Sequence, residues 1–277
     1  MNTNRLWKVL CWNVRGVNSE KKWNSIRDKV TESRSDIICL QETKKEVIDQ
    51  TFIRNICPQG LILSFTSVGA SGGILVAWKG ASFSGVEVFQ NEFAISVEMT
   101  SMINNNSWVL TTVYAPCTPA GKRVFLDWFK NIQMPEHTDW LIVDDFNQIR
   151  RPEDRNKEGG DVTEMYLFNE AISALGLIEL PLHGRHFTWT NKQLSPLLER
   201  LDWFFTSNAW TESYPNTSVK AMVMETSDHW PCNVEINTRI PKSHIFIFEN
   251  HWLSRNDFVN ILIQGWSAPT PLPLQSS

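Results

Sequence analysis

The sequence predicts an α/β (or α+β) fold whose sheets end in polar, chemically competent side chains. Three observations lead there. Apolar runs of strand length alternate with segments of helical period along most of the chain. Several of those runs close on a carboxylate, an amide or a phenol, which places polar groups at a sheet rim, where open α/β sheets bind ligands. And 277 residues, 42% apolar and 20% charged, suffice for a large buried core.

The elements follow in order. Residues 6–13 (LWKVLCWN) read as a first strand. Residues 19–33 read as a helix, with Ser19 as N-cap and Trp23, Ile26 and Val30 at i, i+3 and i+7. Residues 36–42 (DIICLQE) form a second buried strand. Strands are expected over 60–65, 73–78, 86–89 and 94–99, joined by Gly, Ser and Asn turns, and over 108–114, stopped by Pro116. Residues 120–133 read as a helix with Phe125, Trp128, Phe129 and Ile132 on one side. The stretch 141–147 (LIVDDFN) is a buried strand that runs straight into two aspartates and an asparagine. Residues 150–161, charged and nearly devoid of apolar anchors, read as a mobile loop. A helix over 162–175, closed by Gly176, precedes short strands at 187–190, 201–205, 219–224 and 233–236. The domain is expected to span 1–240. Residues 241–277 read as a linker-like extension, with a short helix near 257–266 and a Pro/Ser tail.

Composition narrows the function classes. Lys+Arg number 26 against Asp+Glu 30, a net charge of -4, which disfavours a dedicated nucleic-acid-coating protein but not a hydrolase with an acidic metal site. The first 60 residues carry eleven Lys/Arg against seven Asp/Glu, so a local basic face is compatible with the sequence. Of the thirteen Trp, most are expected in the core. Five scattered cysteines, Cys11, Cys39, Cys57, Cys117 and Cys232, form no CxxC pair and suggest neither a zinc site nor a disulfide-linked partner. No run approaches the roughly 18 apolar residues of a membrane span, and the start lacks a signal sequence. An intracellular protein is expected, nuclear if it acts on chromosomal DNA.

The strand-closing residues form a chemical set. Asn13, Glu42, Asp145 and Asp228 offer hard oxygen ligands, suited to Mg²⁺ or Mn²⁺ rather than zinc. Asp145 and Asn147, at i and i+2, share a side of an extended chain. One can take a proton from water while the other holds that water. His229 beside Asp228, with Asp202 elsewhere, offers an imidazole and a carboxylate to orient it. With Tyr114 these are the tools of phosphate ester hydrolysis. Each residue alone has a plainer reading: strand-end turn for Asn13 and Glu42, packing for Tyr114, surface or core for His229. His183 and His186 read as loop residues.

The wording and order of these pieces resemble the endonuclease/exonuclease/phosphatase superfamily: WNVRG at 12–16, QETK at 41–44, VYAP at 113–116, DDFN at 144–147, RLDWFF at 200–205 and SDHWP at 227–231. SGGILVAW at 71–78, LPLHGRHFTWTN at 180–191, FIFENHWL at 246–253 and Arg15, where DNA-repair enzymes usually carry an acidic residue, resemble the apurinic-endonuclease-like domain of plant LINE-type non-LTR retrotransposons. The resemblance implies a four-layer α/β sandwich, two facing mixed sheets flanked by helices, and Mg²⁺-dependent nicking of a DNA substrate. It implies Glu42 as main metal ligand with Asn13 nearby and Asp228 near the metal. Asp145, held by Asn147, would activate water. His229, oriented by Asp202, and Tyr114 would bind the phosphate. Arg15, Lys44 and Trp189 would meet the substrate. Two departures stand out. Asp144 occupies a position where the family carries Gly; it adds bulk and a second negative charge beside Asp145, which is expected to repel phosphate and weaken the nuclease, and by strand alternation it is expected to point away from the metal. Trp203 replaces an Arg common in the retrotransposon relatives, which is expected to remove a phosphate contact. The resemblance leaves two alternatives: a phosphoesterase on RNA or a phosphorylated small molecule or lipid, and a catalytically inactive relic or binding module from a truncated element.

Overall fold

The computed structural model describes residues 6–45, 47–57, 63–68, 72–134, 137–223 and 226–237. Compact units span Met1–Arg239 and Ile240–Ser277, and all described residues lie in the first. The segment 246–253, the helix expected near 257–266 and the Pro/Ser tail lie outside the described residues.

In chain order the elements are β1 (Trp7–Asn13), α1 (Glu20–Ser33), β2 (Ile37–Gln41), α2 (Gln50–Ile56), β3 (Leu63–Val68), β4 (Ile74–Lys79), β5 (Phe83–Gln90), β6 (Ala94–Ser101), β7 (Ser107–Tyr114), α3 (Pro119–Lys130), β8 (Trp140–Asp145), α4 (Val162–Ala174), β9 (Ile178–Glu179), β10 (Leu182–His183), β11 (Trp189–Thr190), β12 (Leu198–Glu199), β13 (Asp202–Thr206), α5 (Asn208–Ser213), β14 (Ser218–Ala221) and β15 (Cys232–Ile236). Among the described residues, one sheet has the order β10-β14-β15-β1-β2-β4-β3 and a second β5-β6-β7-β8-β13-β9, with β11 and β12 as a separate ribbon. Both large sheets are mixed: β1–β2 and β7–β8 pair in parallel, while β15 and β13 run antiparallel beside them.

Three apolar layers hold the fold. Between the sheets, Val9, Ile37, Val76 and Val234 of one meet Val97, Leu110, Leu141, Val143 and Phe204 of the other. Leu10, Trp12, Ile38 and Leu40 turn the opposite way and pack under α1 and α2. Ile142, Trp203 and Phe205 pack under α3 and α4. Helix, sheet, sheet, helix: this is the expected four-layer sandwich. It arises because each central strand is apolar on both faces and needs a cover on each.

The helices start where their caps dictate. Ser19 Oγ accepts the Lys22 N–H at the head of α1, Thr118 Oγ1 that of Gly121 at α3, and Asp161 those of Thr163 and Glu164 at α4. α2 and α5, too short for a periodic signal, are capped by Asp49 and Ser207. The stretch 150–161, expected to be a mobile loop, is anchored by charge instead. Asp154, buried, accepts the N–H groups of Arg150 (3.0 Å) and Arg151 (2.9 Å), and Arg155 pairs with Glu199 at 3.4 Å. The apolar count that suggested mobility misses such polar anchoring.

The cysteines are all unpaired. Cys11, Cys39 and Cys232 are cross-strand partners on β1, β2 and β15, so three thiols lie abreast in the layer between the sheets. Cys57 is buried under the helices and Cys117 is exposed. No helix among the described residues is long and apolar enough to cross a membrane.

Candidate active site

The central strands deliver their last or first residues to one rim. Asn13 closes β1 opposite Gln41, Tyr114 closes β7 opposite Asp145, and Asp202 opens antiparallel β13 opposite that same Asp145. Asp228 and His229 lie in the turn before β15, the antiparallel neighbour of β1. Glu42 follows β2 in a left-handed conformation (φ 50°), which turns its side chain from the strand toward the rim. Residues far apart in the chain thus share one site because both parallel pairs end there.

At its centre lie Asp145, Asp202 and His229, all buried, with ligand atoms within 4.8 Å of one another. Asp202 Oδ2 sits 3.0 Å from His229 Nδ1, and His229 Nε2 faces Asp145 Oδ2 at 3.7 Å. Asp145 is held from two further sides. The Asn147 N–H donates to Oδ1 (2.9 Å) and the Asn13 amide to Oδ2 (2.8 Å). Asn147, left-handed at φ 50°, also anchors its amide on the Ala115 carbonyl (2.7 Å). The loop carrying His229 is tied to β1: Ser227 Oγ donates to the Asn13 carbonyl (2.7 Å), and the Trp12 indole donates to the His229 carbonyl (3.1 Å).

The electrostatics follow from this packing. Burial acts to lower the His229 pKa, but the Asp202 and Asp145 charges outweigh it and raise the imidazole to about 9. Burial raises Asp145 to about 7, opposed by His229 and reinforced by Asp202. A carboxylate poised near neutrality beside a cationic imidazole can exchange a proton with water while the imidazolium faces an anion.

Glu42 brings the cluster to solvent. Asn13 Nδ2 donates to Glu42 Oε1 (3.1 Å) as well as to Asp145, while Asn13 Oδ1 accepts the Arg15 N–H. Asn13 therefore joins the two carboxylates, with both ends of its amide engaged. Burial pushes Glu42 upward, but hydrogen bonds from Lys44 and Asn13 prevail and leave it below the usual carboxylate range. Tyr114, its pKa raised by burial and then by the charges of Glu42 and Asp145, keeps its proton and hydrogen-bonds to Glu42. Gly72 (φ +105°) makes room for that phenol, since a Cβ there would lie 2.6 Å from Tyr114 Cε1. Asp228 is engaged by Arg15 Nη1 and by the Trp189 indole (3.1 Å). Lys44 Nζ sits 2.9 Å from Glu42 Oε2.

The eleven residues singled out in the sequence thus surround one rim. Among the described residues, the group there that could hold a metal ion is Asp145, Asp202 and His229, and Glu42 and Asp228 add further carboxylate oxygens at the same rim. The sequence did not single out Ser227, which ties two strands together, or Lys22. Lys22 Nζ donates to the carbonyls of Val14 (2.5 Å) and Thr226 (2.8 Å) and so pins the same loop to α1. Burial, then the neighbouring Lys192 charge, lowers its ammonium to about 8. Ser227 lies inside the SDHWP motif; Lys22, one of a run of helix cations, gives no sequence signal. His186 binds the Glu153 carbonyl (2.8 Å), apart from the site.

Both expected departures are corrected. Asp144 does not point away from the rim by alternation. Its φ of +101° breaks the extended geometry, and the side chain turns into the layer between the sheets. There Gln41 Nε2 and Thr112 Oγ1 (3.1 Å) donate to it, beside Cys11 and Cys39. Burial, with the Cys39 and Asp202 charges, holds its carboxyl well above the usual range, which favours the neutral form over the expected second negative charge. Trp203 lies in the helix-facing layer, its indole donating to the Gln148 carbonyl (2.8 Å) and the Arg200 guanidinium 4.1 Å over its ring. That is the side of β13 opposite Asp202, so no phosphate contact is lost there.

No family model matches the chain, and no curated sequence matches it. Solved structures do. The AP endonuclease LMAP from Leishmania major is similar over 85% of this chain and 89% of its own, with TM-score 0.64 and 16% identity. The endonuclease domain of TRAS1, a telomere-specific non-LTR retrotransposon, is similar over 84% and 98%, with TM-score 0.61 and 13% identity. The 3′ phosphatase NExo from Neisseria, bound to a product DNA hairpin, is similar over 83% and 99%, with TM-score 0.60 and 16% identity. The fold is that of the endonuclease/exonuclease/phosphatase superfamily.

Proposed function

We propose that the chain is a Mg²⁺-dependent endonuclease of retrotransposon origin that hydrolyses a DNA phosphodiester and nicks one strand. The observation that carries this reading is the buried Asp202–His229–Asp145 line, linked through the Asn13 amide to Glu42 at the mouth. Glu42 would be the principal metal ligand, with Asp228 close by. When bound, the cation supplies charge neutralisation at the phosphoryl oxygens.

The chain's own residues do the rest. Asp145, fixed by the Asn147 N–H and the Asn13 amide, accepts the proton of the attacking water. His229, with Nδ1 held by Asp202, presents its Nε2 side to the scissile phosphate and offsets the charge that develops there. Tyr114 steadies Glu42 and borders the phosphate position. Trp189, its indole fixed on Asp228, offers a ring edge to a nucleotide.

The similarity to AP endonucleases and to a retrotransposon endonuclease domain supports DNA over RNA, a phosphorylated small molecule or a lipid. A catalytically inactive relic of the same fold is less favoured, since the Asp144 side chain turns onto Thr112 between the sheets and burial there works against a charge on it. The test is nicking of supercoiled plasmid in Mg²⁺ and in chelator, with Glu42→Gln alongside. Nicking in Mg²⁺ alone, strongly depressed in Glu42→Gln at limiting Mg²⁺, is expected. No nicking by a folded wild-type protein would leave the relic reading, and an undiminished Glu42→Gln would refute the ligand assignment.

A further inference from the structure

Two carboxylates of the site already carry cations supplied by the chain. Arg15 Nη1 lies on Asp228 Oδ2, and Lys44 Nζ lies 2.9 Å from Glu42 Oε2. The pairs are lopsided: Arg15 and Lys44 are 59% and 48% exposed, whereas Asp228 and Glu42 are 5% and 17% exposed. The anions are fixed and the cations reach in from solvent. Both cations extend from backbone set in place. Arg15 (φ 51°) has its N–H on Asn13 Oδ1, and Lys44 (φ 50°) has its N–H on the Gly72 carbonyl. They are also neighbours: a Cβ on Gly16 would stand 3.8 Å from Lys44 Cδ, so the Lys44 stem runs past the residue next to Arg15.

Resting on the reading above, we propose that Arg15 and Lys44 are exchangeable counter-ions that couple divalent-metal binding to nucleic-acid binding. In the free protein each neutralises a carboxylate on which the metal depends, so the metal must displace an internal cation. When a phosphodiester backbone enters the mouth, both cations turn to its phosphates. Asp228 and Glu42 are then released, and the metal binds more tightly. Linkage requires the reverse as well: the metal, by freeing Arg15 and Lys44, tightens nucleic-acid binding by the same factor. No proton or covalent bond moves. The device would keep the hydrolytic centre metal-poor until a polyanion is seated.

The test reads metal affinity rather than activity. Free Mn²⁺ is followed by electron paramagnetic resonance in titrations of the whole protein, alone and with a non-cleavable phosphorothioate DNA duplex, the duplex alone serving as blank. DNA should tighten Mn²⁺ on the wild type by roughly 5- to 150-fold, the usual span of such couplings. Arg15→Gln and Lys44→Gln should each bind Mn²⁺ more tightly than wild type without DNA, and the tightening by DNA should shrink toward one in the double variant. Lys192→Gln, which removes a nearby cation that bridges neither carboxylate, should leave Mn²⁺ affinity of the free protein unchanged. Equal Mn²⁺ affinity of the wild type with and without DNA would overturn the proposal while leaving the nuclease reading intact. So would unchanged affinity in Arg15→Gln and Lys44→Gln, or an equal gain in Lys192→Gln. Absence of Mn²⁺ binding under every condition would overturn both.

Discussion

Replacing Asp144 by Asn should stabilise the protein, and by an amount that grows with pH. Asn keeps the size of the side chain. Through its Oδ1 it can accept from Gln41 Nε2 and Thr112 Oγ1, as the carboxyl does, and like Asp it is among the residues that best tolerate a positive φ. What changes is titration. In the unfolded chain the Asp144 carboxyl ionises near its ordinary value of 3.8, while in the folded protein burial keeps the proton on well above that. A group raised in this way contributes its stability in full below the unfolded pKa. That contribution is lost progressively as pH climbs toward the folded pKa, because only the unfolded state gives up its proton. Within that window the slope is about 1.4 kcal/mol per pH unit. The variant has no such group, so its advantage over wild type should widen by about that amount for each pH unit above roughly 4. A neutral acid and an amide present the same charge to their surroundings, so the contributions of the rest of the protein cancel in the difference. The assay is urea unfolding of both proteins at several pH values, comparing extrapolated stabilities at matched m-values. A difference that stays constant with pH, or an advantage of wild type that grows, would refute the neutral, buried Asp144.

Three further outcomes are expected. Asp144→Asn should nick plasmid within about twofold of wild type, since no charge at the rim changes; a large gain would restore a repulsive Asp144. The nicking rate should rise through about pH 7 as Asp145 ionises and fall through about 9 as His229 loses its proton; a profile flat across that span would remove the pair from the reaction. His229→Ala and Asp202→Ala should each cost on the order of 10²–10⁴ in rate and the double variant little more, because members of one unit are non-additive; multiplicative losses would show that they act apart.

How much of this was legible in the sequence depends on what the sequence pattern encodes. The strand-closing residues were readable because the central strands are apolar on both faces, so the switch to polar side chains after Val143 or Leu40 announces the rim, which Asp145 and Glu42 reach one residue later. The assembly of those rims into one site was readable only through the ordered motifs. β9, β10, β11 and β12, two residues each, leave no periodicity, and their pairing is imposed by neighbours. The direction of Asp144 was misread for a specific reason: alternation presumes an extended backbone, and φ +101° abandons it one residue before the strand ends. The charge-anchored turn around Asp154 escaped a reading that counts apolar anchors. The role of Lys22 depends on two carbonyls, one of them at Thr226, far along the chain.

The row of thiols across β15, β1 and β2 gives the molecule a built-in clock for its own opening. Cys117, exposed, should react with an alkylating reagent at once and serve as internal standard. Cys11, Cys39 and Cys232 can react only when the two sheets part, whereas Cys57, at the end of α2, needs only that helical layer to lift. Labelling each thiol in the native protein would therefore time the two breathing motions separately. A ligand that bridges the rim residues of both sheets should slow the first clock and leave the second running.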